Sequence, residues 1–285
     1  MRLISKWRLL LTTCLVGCVS SHAPVAGPPS SPQPVPATVP SPATSWTFNF
    51  APRSISYRVS RTAVIDGGAD PQTRREISTN STHESLMLKA SADTIAFTAV
   101  LDTFSTTRQG VIGSVQPGQL PVQLSGIRVG ESLVISGDSL TQACNPVTSA
   151  LITDLHNLLP RIPALLSTSM SWKDSTNSTG CQGSIPTTSR VLHSYHVTGE
   201  TIYEGIRTLI VQRSDTIQAE GEGAQQQHHL TLRASGTGTA TYYLDTDSGL
   251  ITHLSVGQDL DLSITASGKT SHFQQTTRQE FASVR

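Results

Sequence analysis

The histidines are the residues of this chain that could most readily bind a metal ion. His193 and His196 are three residues apart, and His228 and His229 are adjacent. Side chains two positions apart share a face of a β-strand, so we expect His193 and His196 to point to opposite sides. No nearby carboxylate completes a set of ligands for a metal ion. The sequence therefore predicts polar surface histidines and no metal site.

Two segments resemble ligand-binding loops in part. Residues 263–270 end in Gly-Lys-Thr, like a phosphate-binding loop, but Ser263 stands where that loop needs a glycine. Residues 245–249 begin like a calcium loop, but Gly249 falls at its fifth position and Val256 at its twelfth, where oxygen ligands are required. Strand-like residues flank both segments. We predict that both are β-turns.

Short motifs for nucleophilic catalysis are missing from the sequence. Residues 137–141 lack the closing glycine of a Gly-x-Ser-x-Gly elbow, and Met170 stands where a Ser-x-x-Lys motif ending at Lys173 would need its serine. A triad whose members are dispersed along the chain is not recognisable from one sequence. We expect no enzymatic activity and no cofactor.

The first seventeen residues have the pattern of an export signal. Arg2, Lys6 and Arg8 are followed by an apolar run over residues 9–16, which is shorter than the roughly 20 residues that span a bilayer. Leu15, Val16, Gly17 and Cys18 then resemble the lipobox of bacterial lipoproteins. The resemblance implies a signal peptide over residues 1–17, cleavage before Cys18 and a lipid anchor on its sulfur. The alternative is an ordinary signal peptide with a chance cysteine.

Residues 18–45 have the composition of a linker. Eight of the sixteen prolines lie between residues 20 and 45, with few bulky apolar residues among them. Such a segment buries too little surface to fold by itself and favours an extended spacer, which could reach up to about 80 Å. Val19 rather than an aspartate follows Cys18. By the pattern of enteric bacteria, this favours the outer membrane within the cell envelope, facing either the periplasm or the surface.

Charge argues against a nucleic-acid partner. The chain has 20 basic and 20 acidic residues, and removal of the signal takes away three basic ones. The mature protein is therefore slightly acidic and lacks the basic footprint of a nucleic-acid-binding protein. The partners we expect are the membrane through the lipid anchor, an apolar ligand such as a lipid, or another envelope protein.

Residues 46–285 are predicted to form one β-rich domain. Segments with alternating apolar and polar residues, such as residues 55–59 and 260–264, indicate about ten half-buried strands. Short turns between them favour antiparallel pairing. Cys144 and Cys181 are the two cysteines of this domain, and in an oxidising compartment they are expected to form a disulfide worth roughly 4 kcal/mol. A free or metal-binding pair is the alternative.

One segment is predicted to be helical. Asn145 can cap a helix that opens with Pro146. An apolar stripe recurs every three or four residues after it, at Val147, Leu151, Leu155, Leu158 and Ile162. The predicted fold is mainly β: a single antiparallel curved sheet or open β-barrel with one amphipathic helix packed against it. Trp46, Trp172, Tyr242 and Tyr243 are expected to pack in the core or at the barrel rim.

A curved sheet with an amphipathic helix and a lipid anchor resembles the open-barrel lipoprotein carriers of the LolA/LolB and LppX type. Residues 172–174, 195–200 and 236–249 also resemble uncharacterised envelope-lipoprotein domains. The carriers have several helices over the concave face, whereas this sequence predicts one.

Two functions follow from this fold. The first is binding or carrying an apolar ligand between the sheet and the stripe of Val147, Leu151, Leu155 and Leu158. The second is a structural or interaction lipoprotein whose stripe is plain core, and open volume beneath the helix would separate the two. An outer-membrane barrel is disfavoured, because aromatic residues make up only 5% of the chain and such barrels carry aromatic girdles.

Overall fold

The computed structural model describes residues 44–47, 53–67, 75–91, 94–108, 111–114, 120–129, 132–136, 144–182, 185–225 and 228–284. The predicted signal peptide, Cys18 and nearly all of the predicted linker lie outside these residues. The first seven strands are β1 (Ser45–Thr47), β2 (Arg53–Gly67), β3 (Arg75–Ser91), β4 (Thr94–Arg108), β5 (Val111–Ser114), β6 (Val122–Val129) and β7 (Ser132–Ser136). One helix and seven further strands follow: α1 (Pro146–Leu158), β8 (Leu165–Ser167), β9 (Ser171–Gln182), β10 (Ile185–Tyr203), β11 (Ile206–Gln225), β12 (His228–Asp245), β13 (Ile251–Ala266) and β14 (Lys269–Val284).

Twelve strands form one antiparallel sheet, which curls into an open half-barrel and confirms the predicted fold class. The strand order is β7-β6-β4-β3-β2-β14-β13-β12-β11-β10-β9, and β5 pairs beside β4. Successive strands from β9 to β14 pair with their neighbours, and β14 then pairs with β2. The long-range pairing of β14 with β2 therefore joins the two halves of the chain. Along the described path, β7 and β9 are the edge strands.

Along each strand, side chains point alternately to the concave face and to the outer face of the sheet. In β10, His193, Tyr195 and Val197 are buried while the residues between them are exposed. Curvature brings backbones close together at two glycines of the sheet. A Cβ atom on Gly126 would lie 2.1 Å from the Val134 carbonyl oxygen, and one on Gly236 would lie 2.1 Å from that of Asp259. No larger residue fits there without moving a strand.

Helix α1 lies against the concave face, as predicted. The Asn145 side chain accepts hydrogen bonds from the backbone N–H groups of Val147 at 2.9 Å and Thr148 at 3.2 Å. These bonds satisfy two of the donors that every helix start leaves open. The predicted disulfide between Cys144 and Cys181 is present. It fastens the start of the helix to the end of β9.

The two loop-like motifs are turns, as predicted. Residues 263–270 close the hairpin between β13 and β14, with Gly268 in the left-handed region at φ 76°. Residues 245–249 form the turn after β12. There the Asp245 carboxylate accepts from the Asp247 backbone N–H at 2.9 Å and from the Ser248 hydroxyl at 2.6 Å. These internal bonds make the segment an Asx-type turn.

Candidate functional site

The concave face carries charged side chains that the apolar pattern did not predict. Asp154 of α1 is 1% exposed. Its Oδ1 accepts from Arg61 of β2 at 2.6 Å and also from Gln279 of β14. Glu84 of β3 is buried beside it. Burial raises the pKa of Glu84 well above its usual range, and the neighbouring Asp154 carboxylate raises it further. Burial and the Asp154 carboxylate therefore both favour the protonated form of Glu84.

A second polar network surrounds Arg213 of β11. This guanidinium is 3% exposed and donates to Asp215 at 2.9 Å, to Asn157 of α1 at 3.1 Å and to the Tyr242 hydroxyl. Asp215 also contacts His193, with 2.6 Å between Oδ1 and Nδ1. The His193 Nε2 atom lies 2.9 Å from the Thr176 hydroxyl of edge strand β9. A continuous hydrogen-bonded chain thus runs from the helix to the sheet edge.

His193 corrects one sequence-based expectation. It was expected on the surface but is 8% exposed, because the alternation of β10 turns it towards the concave face. His196 is exposed on the other face, so the prediction that the two histidines point to opposite sides is confirmed. The residues that contact His193 are 17 and 22 positions away in sequence. No local motif could have identified them.

The Thr176 end of this chain opens into a cavity of about 420 Å³, here called the seam cleft. It lies between the edge strands and the end of the helix. Its walls include Arg128 of β6, Val134 of β7, His156 of α1, and Asp174, Thr176 and His193. Successive residues of β9, 174 to 177, line it. Because consecutive residues of β9 line the cavity, the strand presents its edge to the cavity and not one face of the sheet.

Arg128 is the main cation of the seam cleft. It donates to the Leu159 carbonyl at the end of the helix, and its Nη2 lies 3.7 Å from the Asp174 carboxylate. Burial lowers the pKa of Arg128, an effect that Asp174 opposes. Burial and the nearby Arg128 charge lower the pKa of His156 to about 4. The cleft therefore offers the Arg128 guanidinium, the Asp174 carboxyl group and two imidazoles, of which that of His156 is uncharged at neutral pH.

The connectivity of Thr176, His193 and Asp215 is that of a nucleophile, a base and an orienting acid. Burial opposes the ionisation of Asp215, but hydrogen bonds from His193 and Arg213 lower its pKa overall. Arg213 already neutralises this carboxylate, which leaves less negative charge to stabilise an imidazolium. The arrangement is therefore better suited to hydrogen bonding a ligand than to proton abstraction.

The predicted ligand-binding stripe lies elsewhere. Val147, Leu151, Leu155 and Leu158 are 1–4% exposed and belong to the main hydrophobic core. None of them lines the seam cleft or the two cavities on the β10–β13 side of the sheet. The predicted packing aromatics Trp46, Trp172 and Tyr242 join or contact the same core. Trp172 stacks on Tyr195 with 4.8 Å between ring centroids.

A larger groove of about 610 Å³ runs across the outer face of β10 to β14. Its charged side chains, Arg190, Glu220, Arg233 and Asp261, are all exposed. Water solvates these groups, so they attract a charged ligand less strongly than the buried charges of the seam cleft do.

Within the described part of the chain, no three His, Cys, Asp or Glu side chains are grouped so as to bind a metal ion. The one helix described there is not long and apolar enough to cross a membrane.

No protein-family model and no curated protein matches the chain. Among solved structures, a five-substitution mutant of Rh. blastica porin aligns over 81% of this chain and all of its own length, with 8% identity and a TM-score of 0.26. A triple mutant of Rhodopseudomonas blastica porin aligns over 80% of this chain and all of its own, again with 8% identity and a TM-score of 0.26. These scores are too low to support a conclusion about this chain.

Proposed function

We propose that this protein is a non-catalytic lipoprotein of the bacterial cell envelope, anchored through Cys18, whose body binds another envelope component at its surface. The observation that carries this choice is the burial of the helix stripe. Val147, Leu151, Leu155 and Leu158 are packed into the core, so the space that an apolar ligand would occupy is filled. Of the two predicted functions, the interaction protein fits this packing better.

The disulfide supports the export that the proposal requires. Disulfides persist in oxidising compartments and are rare in the cytosol, and Cys144 is bonded to Cys181. The lipobox-like segment at residues 15–18 supplies the anchor. The outer membrane stays the favoured location because Val19, not an aspartate, follows Cys18.

The seam cleft is the surface on which we place the partner. It offers the Arg128 guanidinium, the Asp174 carboxylate and the neutral His156, together with the edges of β7 and β9. Among the described strands, none pairs with the free edge of either. An extended polar segment of a partner could donate and accept hydrogen bonds along such an edge.

Intact mass and acyl labelling of the full-length protein test the anchor. We expect a mature chain that begins at Cys18 and carries added acyl chains. The Cys18→Ser variant should incorporate no labelled fatty acid. A wild-type chain cleaved elsewhere or free of lipid would refute the lipoprotein assignment.

Carriage of an apolar ligand is the second candidate, favoured by the open half-barrel with a helix over its concave face. Native mass spectrometry separates the two functions. The protein would be exported behind an ordinary cleavable signal with Cys18→Ala and purified without detergent. We expect a clean mass with one disulfide. A discrete extra mass that extraction identifies as lipid would favour the carrier.

An ester-hydrolysis assay tests the absence of catalysis. We expect p-nitrophenyl acetate turnover no faster than that of a Thr176→Val variant, which keeps the shape of the side chain but removes the hydroxyl. Turnover by the wild type that this variant abolishes would make Thr176 a nucleophile and the non-catalytic assignment wrong.

A further inference from the structure

One end of the sheet carries apolar side chains that project into solvent at the tips of strands. Val129 is the last residue of β6, Val284 the last of β14, and Ile202 the last but one of β10. Their exposures are 46%, 38% and 75%. Leu165, the first residue of β8, is 60% exposed. These four residues are here called the proximal rim.

Strand pairing shows that the rim lies at one end of the sheet. Val129 pairs with Thr94, the first residue of β4, and Val284 pairs with Ser56 near the start of β2. Ile202 pairs with Arg207 in the β10–β11 hairpin. The pairing runs from that hairpin through the β12–β13 turn to the end of β14. The three strand tips are therefore spread across the width of the sheet, at the same end.

The first described strand lies near this end, because Thr47 of β1 is six residues before Arg53, where β2 begins. Ser45 of β1 pairs with Ser167 of β8, and Thr47 pairs with Leu165. Strand β8 leads directly into the start of β9. The first strand of the described chain therefore begins beside Ser167, two residues after Leu165.

The opposite end differs in character. Of the exposed large apolar side chains in the described part of the chain, Ile77 of β3 and Leu192 of β10 lie towards that end, on the same row of paired residues. Apolar residues scattered singly are normal on a protein surface, but those of the proximal rim share one end of the sheet. Tyr203 and Tyr243 add to the set beside Ile202, with 4.7 Å between their ring centroids. Tyrosine rings favour the boundary between water and lipid.

We propose that the proximal rim rests on the surface of the bilayer that holds the acyl anchor, an inference that relies on the proposed lipoprotein function. The anchor holds the body near the membrane and so adds to the apolar contacts that the rim makes by itself. Charge adds little net attraction, because exposed charges of both signs lie at this end, Arg53 and Lys89 against Glu204 and Asp247, and Arg207 is paired with Glu200. We therefore expect contact with neutral phosphatidylcholine as well as with anionic lipid.

Site-specific fluorescence in the lipidated full-length protein tests the contact. Cys18 would be acylated and Cys144 is bonded to Cys181, so one introduced cysteine is the free thiol for an environment-sensitive dye. We would label Ile202→Cys and Val129→Cys, with Ile77→Cys as the control at the other end. In phosphatidylcholine vesicles with nitroxide-labelled lipid, we expect quenching at both rim positions and none at the control.

Equal quenching at all three positions, or none at the rim, would overturn the proposal. Quenching at only one rim position would overturn it as well, since the two positions lie near opposite edges of the sheet and a rim resting on the bilayer brings both to the lipid. Quenching that needs native envelope membranes and is absent from protein-free vesicles would assign the rim to a protein partner instead.

A second experiment separates the rim from the anchor. The chain with Cys18→Ala, exported behind an ordinary signal, should still float with vesicles. The pair Ile202→Ser and Leu165→Ser should reduce the bound fraction on the order of tenfold, and Ile77→Ser should not change it. If the lipid anchor is absent but flotation depends on the rim residues, the lipoprotein proposal is wrong and the membrane contact of the rim is supported. If the anchor is present and the two rim substitutions do not change flotation, the membrane contact is wrong and the lipoprotein proposal stands.

Discussion

At the scale of single residues, the buried charges of the concave face have the largest energetic consequences. Asp215 has a fully buried carboxylate that Arg213 and His193 contact. Asp259 makes a similar pair with Arg278 at 3.5 Å, but both side chains are more than half exposed. The two aspartates have the same chemistry in different surroundings, so comparing them isolates the effect of burial.

We expect Asp215→Asn to lower the free energy of unfolding by about 3–5 kcal/mol, because it leaves the buried Arg213 charge without its partner. Asp259→Asn should cost at most about 1 kcal/mol, because water screens the exposed pair. Denaturant unfolding at pH 7 measures both. The pKa of Asp215 is lowered in the folded state, so its stabilisation is present above the unfolded pKa and is lost as the pH falls through the folded one. Equal costs for the two variants would contradict the assignment.

Glu84 titrates in the opposite sense. Its folded pKa is raised by burial and by Asp154, so its contribution to stability is complete below the unfolded pKa and is lost as the pH rises through the folded one. Glu84→Gln keeps a neutral side chain at every pH. We expect it to raise the free energy of unfolding at pH 8 by about 1 kcal/mol or more relative to wild type, with a smaller gain at pH 4. The exposed Glu220→Gln serves as the control and should change neither value.

At the scale of elements, the helix is held by three kinds of contact. The disulfide fastens its start to β9, the stripe packs into the core, and Asp154 and Asn157 bond to three strands of the sheet. The apolar stripe was predicted from its spacing, but nothing in that spacing indicated that Asp154 and Asn157, which lie between its members, are buried. They are buried because the sheet curls around more of the helix than one face.

Leu155→Ala tests whether the stripe is core. Its side chain is 1% exposed, so we expect a loss of about 2–5 kcal/mol in the free energy of unfolding. Leu165→Ala, at a 60% exposed position, should cost about 0.5 kcal/mol or less. Thermal or denaturant unfolding gives both values. A small cost at Leu155 would point to space beneath the helix and revive the apolar-ligand function.

At the scale of the whole molecule, the two edges of the sheet meet around the end of the helix. Arg128 links three elements there, because it extends from β6, donates to the Leu159 carbonyl after α1 and lies beside Asp174 of β9. The two edges of the open half-barrel are therefore linked at the seam by side chains rather than by strand pairing. Such a link is expected to open more readily than the hydrogen-bonded ladders elsewhere in the sheet.

Arg128→Ala should loosen the seam locally. We expect faster amide hydrogen exchange in β7 and β9 and unchanged exchange in β12, at the centre of the second half of the sheet. Arg233→Ala, which removes an exposed arginine from β12, is the matched control and should leave all three strands as in wild type. Uniformly faster exchange in the Arg128 variant would indicate global destabilisation and no special role at the seam.

Local patterns in the sequence were sufficient to predict the antiparallel β fold, the single capped helix, the two turns and the disulfide. Each depends on residues close together in the chain or, for the disulfide, on the only two cysteines between residues 46 and 285. Sequence alone also carries the lipobox-like segment at residues 15–18, which lies outside the described residues. Which strands pair at long range, such as β14 with β2, was not predictable, because the hydrophobic period marks a strand without naming its partner.

The polar network around Arg213 and the seam cleft into which it opens were decided by tertiary structure alone. Arg213 and Asp215 alternate within β11 just as surface residues of a strand would, and His193 and Thr176 belong to other strands. A charged side chain can be buried only where partners from elsewhere in the chain satisfy it, and those partners come together through the order and curl of the sheet. Sequence determined which elements form. The three-dimensional arrangement determined which of their polar residues share a site.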